Sequence, residues 1–83
     1  MRYAFDAHAL KDLKKFSPEV KKRILEKLEF FVATDATLAF AERLTNNEIG
    51  SYRYRIGDYR VIFDLEDDIL VVLKVGHRRE IYR

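Results

Sequence analysis

Tyr52-Arg53-Tyr54-Arg55-Ile56-Gly57-Asp58-Tyr59-Arg60-Val61-Ile62-Phe63 alternates with a period of two on either side of a Gly-Asp pair. That period is strand spacing, and glycine at the first central position suits a two-residue type II′ hairpin. With Gly57 and Asp58 as the turn, Ile56 opposes Tyr59, Arg55 opposes Arg60, Tyr54 opposes Val61, Arg53 opposes Ile62 and Tyr52 opposes Phe63. Opposed residues share a face. One face is then Tyr52, Tyr54, Ile56, Tyr59, Val61 and Phe63, fit to lie on a core, and the other presents Arg53, Arg55 and Arg60. Like charges set directly across from each other cost up to about 1 kcal/mol, so stability alone would place an acid at one of the two positions. Two readings are open. The arginines splay apart on a solvated face, or their planar forks converge to grip a phosphate.

Outward from the hairpin, the 83 residues read as a single domain, 1–83, with 48% hydrophobic residues to fill a small core. There is no cysteine, so neither a disulfide framework nor a thiolate metal site is expected. No signal peptide or 18-residue apolar run is present, which implies a cytoplasmic protein with no membrane association. A net charge of +2 is a weak argument for a polyanionic partner. Its distribution says more: four of the six acids in 52–83 are Asp64, Glu66, Asp67 and Asp68, so the rest of that segment is basic. The lysines of the N-terminal third read as a solvated face, or as a long-range contribution to polyanion binding.

Arg2 to Phe5 reads as an opening strand, and Asp6 as the cap of a short helix lined by Leu10, Leu13 and Phe16. Ser17-Pro18-Glu19 opens a second helix running to about Ala33, with Val20, Ile24, Leu28 and Phe31 on its apolar stripe. Ala36 to Leu44 is predicted to form a short helical turn touching the core through Leu38, Phe40 and Leu44, followed by a loop over 45–48. After the hairpin and an acidic turn at Glu66–Asp68, Ile69 to Val75 reads as a strand buried on both faces. The order β-α-α-β-β-β implies an α+β fold, its helical pair packed on one face of a small, largely antiparallel sheet.

The buried strand is followed by Gly76-His77-Arg78-Arg79-Glu80-Ile81-Tyr82-Arg83. Gly76 permits a bend, and the next residues place an imidazole, guanidinium groups and a phenol close together. His8 and His77 are the two histidines, far apart and without a carboxylate at ligand spacing, so no metal site is expected.

Taken together, Arg53-x-Arg55-x-Gly57-Asp58-Tyr59-Arg60-Val61-Ile62-Phe63, a buried strand, and Val75-Gly76-His77-Arg78-Arg79-Glu80-Ile81-Tyr82 resemble the RelE group of the RelE/ParE superfamily of toxin–antitoxin toxins. The resemblance spans essentially the whole chain, though the helices are not specific to it. It implies a ribosome-dependent mRNA endoribonuclease, an inhibitor of translation that cuts the codon in the ribosomal A site. The implied partners are mRNA, ribosomal RNA and a small cognate antitoxin covering or displacing the residues around Arg60 to Tyr82. Such a reaction is attack of a ribose 2′-hydroxyl on the adjacent 3′-phosphate, and it needs no metal or other cofactor if cations neutralise the transition state. Arg55 and Arg60 would be the clamp, Arg53 would hold the phosphate or its neighbour, and Arg78 would stand beside the leaving 5′-oxygen. Tyr82 matches the family's C-terminal tyrosine, which stacks on or activates the substrate.

Where many RelE-type toxins carry lysines on the first hairpin strand, this chain has Arg53 and Arg55. An arginine does not give up its proton, so Arg53 is a poor general base. Tyr82 is the expected base or orienting group and His77 the runner-up as acid or base. Two other functions are compatible with the sequence: a ParE-like DNA gyrase inhibitor, a branch that generally lacks the arginine and tyrosine constellation, and a non-catalytic RNA-binding module. The sequence ends one residue after Tyr82, so inhibition by displacing a long C-terminal helix is not expected.

Overall fold

A computed structural model of the chain describes residues 1–34, 36–45 and 48–82. Asn46 and Asn47, the middle of the loop read over 45–48, lie outside the described residues. Strand β1 (Arg2–Phe5) leads into helices α1 (Ala7–Lys14) and α2 (Pro18–Ala33). A single 3-10 turn at Thr37–Phe40 then precedes strands β2 (Ala41–Arg43), β3 (Tyr52–Ile56), β4 (Tyr59–Glu66) and β5 (Ile69–His77). The sheet order is β1-β5-β4-β3-β2; β1 runs parallel to β5 and the other neighbours are antiparallel. This is the expected α+β arrangement with one strand more. Ala36 to Leu44 is not a helical turn throughout: it ends in a three-residue edge strand, and Leu38 and Phe40 are largely exposed. Phe40 still stacks its ring on Phe31, with centroids 5.1 Å apart.

The helices start where their caps dictate. Asp6 accepts the Ala9 amide at 2.8 Å, and Ser17 accepts that of Val20 at 3.3 Å with Pro18 at the first helical position. The α2 stripe buries Ile24, Leu28 and Phe31 on the sheet. In α1 the inward residues are Ala9 and Leu13, and Leu10 points to solvent. Both helices cover one face, where Tyr54, Ile56, Val61, Phe63, Leu70, Val72 and Val75 complete the core.

The β3–β4 hairpin has the register read from its alternation, all five pairs from Tyr52↔Phe63 to Ile56↔Tyr59. Gly57 has φ +59° and Asp58 does not share the positive φ, which is the type II′ pattern. Between β4 and β5 the register shifts: Phe63 pairs with Val72 but Ile62 pairs with Lys74, leaving Leu73 as an extra residue. An extra residue moves every side chain beyond it to the other face. Lys74 and Gly76 therefore face away from the helices, and Val75 and His77 face toward them. Past the end of β1, Asp12 of α1 covers the open edge of β5 by accepting the Val75 amide at 3.1 Å.

Candidate functional site

The face of the sheet turned away from the helices is where the arginines of the hairpin emerge. Arg55 stands opposite Arg60, and Gly76 of β5 is the neighbour of Arg60 on the other side. The absence of a side chain at Gly76 has a use other than bending, since β5 continues through it to His77. A Cβ there would come within 3.1 Å of Ile81, which is buried over the strand. This close approach lets the C-terminal turn fold back across the arginine face. The turn is held by amides of Glu80 and Ile81 donating to the His77 carbonyl, and by the Arg78 amide donating to Asp58 O at 2.7 Å.

The fold-back delivers Tyr82 to Arg53. Arg53 Nη1 donates to the Tyr82 hydroxyl at 2.7 Å, and its guanidinium carbon lies 5.9 Å from the ring centroid. Two residues 29 positions apart in sequence are thereby joined on the face that carries the opposed arginines. Arg53 is mostly buried, and its Nε is enclosed without a hydrogen-bond partner among the described residues.

The like-charged pair is accommodated by turning the two side chains to different acceptors. Arg60 folds back on its own turn, Nη1 donating to the carbonyls of Gly57 and Tyr59 at 2.9 Å each. Arg55 Nε pairs with Glu42, and Arg53 Nη2 donates to the other oxygen of that carboxylate at 2.9 Å. The acid that the hairpin lacks is supplied by the adjacent strand, where Glu42 of β2 lies in register with Arg53. The hydrogen bond from Arg53 holds the Glu42 carboxyl below its ordinary value; partial desolvation opposes this and the charges of Arg53 and Arg55 reinforce it. Arg60 is pushed below its ordinary value by desolvation first and then by the guanidiniums of Arg55, Arg53 and Arg78. Four guanidinium groups thus share one electrostatic neighbourhood.

Arg53, Arg55, Arg60 and Tyr82 are on this face, and Arg78 joins them from the turn through its effect on Arg60. Arg78 Nε also lies 3.7 Å from Asp58, an exposed contact. His77 is not brought to the group. It pairs with Tyr59 on the helix side, ring centroids 5.6 Å apart, and its Nδ1 accepts the Arg79 amide at 3.2 Å. Glu42 and Ile81 are the members that sequence reasoning missed. Glu42 sits on a strand too short to show a period, whereas Ile81 carried a signal: an isolated aliphatic in a charged stretch, five residues after the glycine of a Val-Gly step. Among the described residues no cluster of His, Cys, Asp and Glu could hold a metal ion. No described helix is long and apolar enough to cross a membrane.

Two helices packed on one face of a five-stranded, mostly antiparallel sheet make the fold of a class of small toxins. The family model described as ParE toxin of type II toxin-antitoxin system, parDE, matches residues 3–82, and the chain belongs to that family, within the RelE/ParE superfamily. Within it, the chain is of RelE type. It is 30% identical over 81 residues to Toxin RelG of Mycobacterium tuberculosis, covering 95% of this chain and 92% of that one. Its fold matches the toxin–antitoxin complex RelBE2 of the same organism with a TM-score of 0.74 and 27% identity, over 93% of this chain and 96% of that one. The archaeal RelE–RelB complex from Pyrococcus horikoshii OT3 matches with a TM-score of 0.73 and 25% identity, over 95% and 96% of the two chains. The isolated E. coli RelE toxin shares the fold with a TM-score of 0.72, over 98% of this chain and 89% of that one.

Proposed function

We propose that this toxin is a metal-independent endoribonuclease that cleaves mRNA in the ribosomal A site and so arrests translation in the cytoplasm, and that a cognate antitoxin restrains it. The observation that carries the reading is the 2.7 Å contact between Arg53 and the Tyr82 hydroxyl on the face where Arg55 opposes Arg60. It sets a phenol among cations, groups suited to orienting a 2′-hydroxyl and to compensating charge at a phosphate. The phosphate would lie against Arg60, Arg55 and Arg78, whose charges compensate the negative charge that grows as the 2′-oxygen adds to phosphorus. Tyr82, steered by Arg53, orients the 2′-hydroxyl or takes its proton. The new bond from the 2′-oxygen to phosphorus forms as the bond to the 5′-oxygen breaks. Arg78 stabilises the departing 5′-oxygen, which takes a proton from solvent. The products are a 2′,3′-cyclic phosphate and a 5′-hydroxyl. His77 has no part in this scheme, because its ring lies on the helix side beside Tyr59.

The relatives seen in complexes with RelB support an antitoxin as partner. The direct test is a purified translation system in which the protein is added to ribosomes bearing a defined mRNA. Codon-boundary cuts with cyclic-phosphate ends, abolished by a 2′-deoxy substitution at the cut site, are expected. Intact mRNA together with inhibition of DNA supercoiling by gyrase would place the protein with the ParE branch whose name the family carries.

A further inference from the structure

We propose that Glu42 is an internal counter-anion occupying a second phosphate position, between Arg53 and Arg55 and next to that of the scissile phosphate, and that a neighbouring phosphodiester of the substrate strand binds there by displacing it. The inference rests on the reading of the arginine face as a phosphate site and goes on to say how that site is regulated before substrate arrives. Glu42 engages two different guanidiniums with its two oxygens, Oε2 with Arg53 Nη2 at 2.9 Å and Oε1 with Arg55 Nε. A phosphodiester's two non-bridging oxygens would use those same donors. A phosphate cannot use that pair of donors, Arg53 Nη2 and Arg55 Nε, while the carboxylate holds them.

The three side chains differ in how readily they move. Glu42 is 44% exposed and projects from a three-residue strand at the edge of the sheet. Rotating it away disturbs little packing. Arg53 is 17% exposed and is held from its other side by the Tyr82 hydroxyl, so it stays in place when the carboxylate leaves. The device makes the resting face less attractive to polyanions in general, since one negative charge sits among the guanidiniums. A strand delivered with further contacts can meet the cost of displacing the carboxylate; a free strand meets it poorly. This also accounts for the opposed arginines without a neutralising residue on the hairpin itself. The acid is placed on a neighbouring strand, where it can leave without altering the register.

The test uses the full chain and a single-stranded oligodeoxynucleotide, which lacks the 2′-hydroxyl and so cannot be cleaved, with binding followed by fluorescence anisotropy over a salt series. Glu42→Gln is expected to bind about tenfold tighter at low salt than the parent protein. Freeing the site for about one more phosphate should also steepen the slope of log K against log salt by about 0.7. A purely structural role for Glu42 would not move that slope upward. Glu42→Ala gives the same contrast should the glutamine variant fold poorly. Parent and variants binding with equal strength and slope would overturn the proposal. So would loss of RNA cleavage in Glu42→Gln at unchanged binding, because Glu42 would then be acting on the reacting atoms. If neither protein binds the oligonucleotide at any salt, the phosphate site itself falls, and with it the proposed nuclease; equal binding by both removes the counter-anion alone.

Discussion

On the helix-covered side of β3 and β4, Tyr54, Ile56, Val61 and Phe63 are shut off from solvent. On the other side the same two strands set Arg55 against Arg60 and enclose an Arg53 Nε that finds no partner among the described residues. Every residue of the first set agrees with the rules for stability. The second breaks two of them, like charges across a ladder and an unpaired buried donor. Because both sets lie on the same backbone with the same register, the contrast cannot come from local strand geometry. It comes from what each face meets: a layer of helices on one side and, on the reading above, a phosphodiester on the other. Departures from local consistency of this kind concentrate at functional sites.

The largest effect should come from the core face. Phe63 is fully buried and stacks on Tyr54, ring centroids 4.4 Å apart. Phe63→Ala should cost about 3–5 kcal/mol, a large share of what a domain of this size has. Denaturant unfolding would show it as a lower midpoint. Cleavage should fall only in proportion to the unfolded fraction. Arg60→Ala should do the opposite, lowering cleavage by about 10²–10³-fold. Its unfolding free energy should change by less than about 1 kcal/mol, because relief from Arg55 offsets the two lost turn contacts. A variant equally damaged in both measurements would erase the distinction between the faces.

How far this contrast was legible in the sequence depends on the length of the pattern that carried it. The hairpin could be read to the residue, because ten positions alternate around a Gly-Asp turn and one register satisfies them all. The β2 strand could not, since Ala41-Glu42-Arg43 has no period and its pairing with β3 is set by tertiary docking. Glu42, the acid that the opposed arginines lacked, was hidden with it. The side of the sheet on which His77 lies was hidden for a different reason. Unbroken alternation through β5 puts it with the arginines, but Leu73 is an extra residue and the bulge sends His77 to the helix side. Nothing in the composition of Val71-Val72-Leu73-Lys74 announces that bulge, although it is what keeps Lys74 out of the core.

A third substitution probes the seam between the faces. Gly76→Ala would place a Cβ 3.1 Å from the end of the Ile81 side chain and 3.6 Å from its Cα. The side chain can yield by a few tenths of an ångström, so the cost to stability should be about 1 kcal/mol. The turn carrying Tyr82 is attached through Ile81, however, and a small shift there moves the phenol relative to Arg53. Cleavage should fall about tenfold or more, since misplacement of about 1 Å can cost 10²-fold. Full activity in this variant would mean that the position of Tyr82 is not set by its close packing on β5.

The smallest effect, and the one that tells most about the arginine face, is a pH dependence. Glu42 has a carboxyl pKa depressed in the folded protein, chiefly by the Arg53 hydrogen bond. A depressed carboxyl contributes stability that is fully present above its unfolded value, about 4.3, and is lost as pH falls through the folded value. The difference in unfolding free energy between the parent and Glu42→Gln should therefore be constant from about pH 7 to pH 5 and shrink on further acidification. The gap will be small, because the pair is partly exposed and solvent screens it. A gap that widens toward low pH would mean that Glu42 is not held as a carboxylate by the two arginines. Were the gap to close in this way, the ion pair that steadies the edge of the sheet near neutrality would be the same one that a phosphodiester has to break. Stability and readiness for substrate would then trade against each other at a single carboxylate.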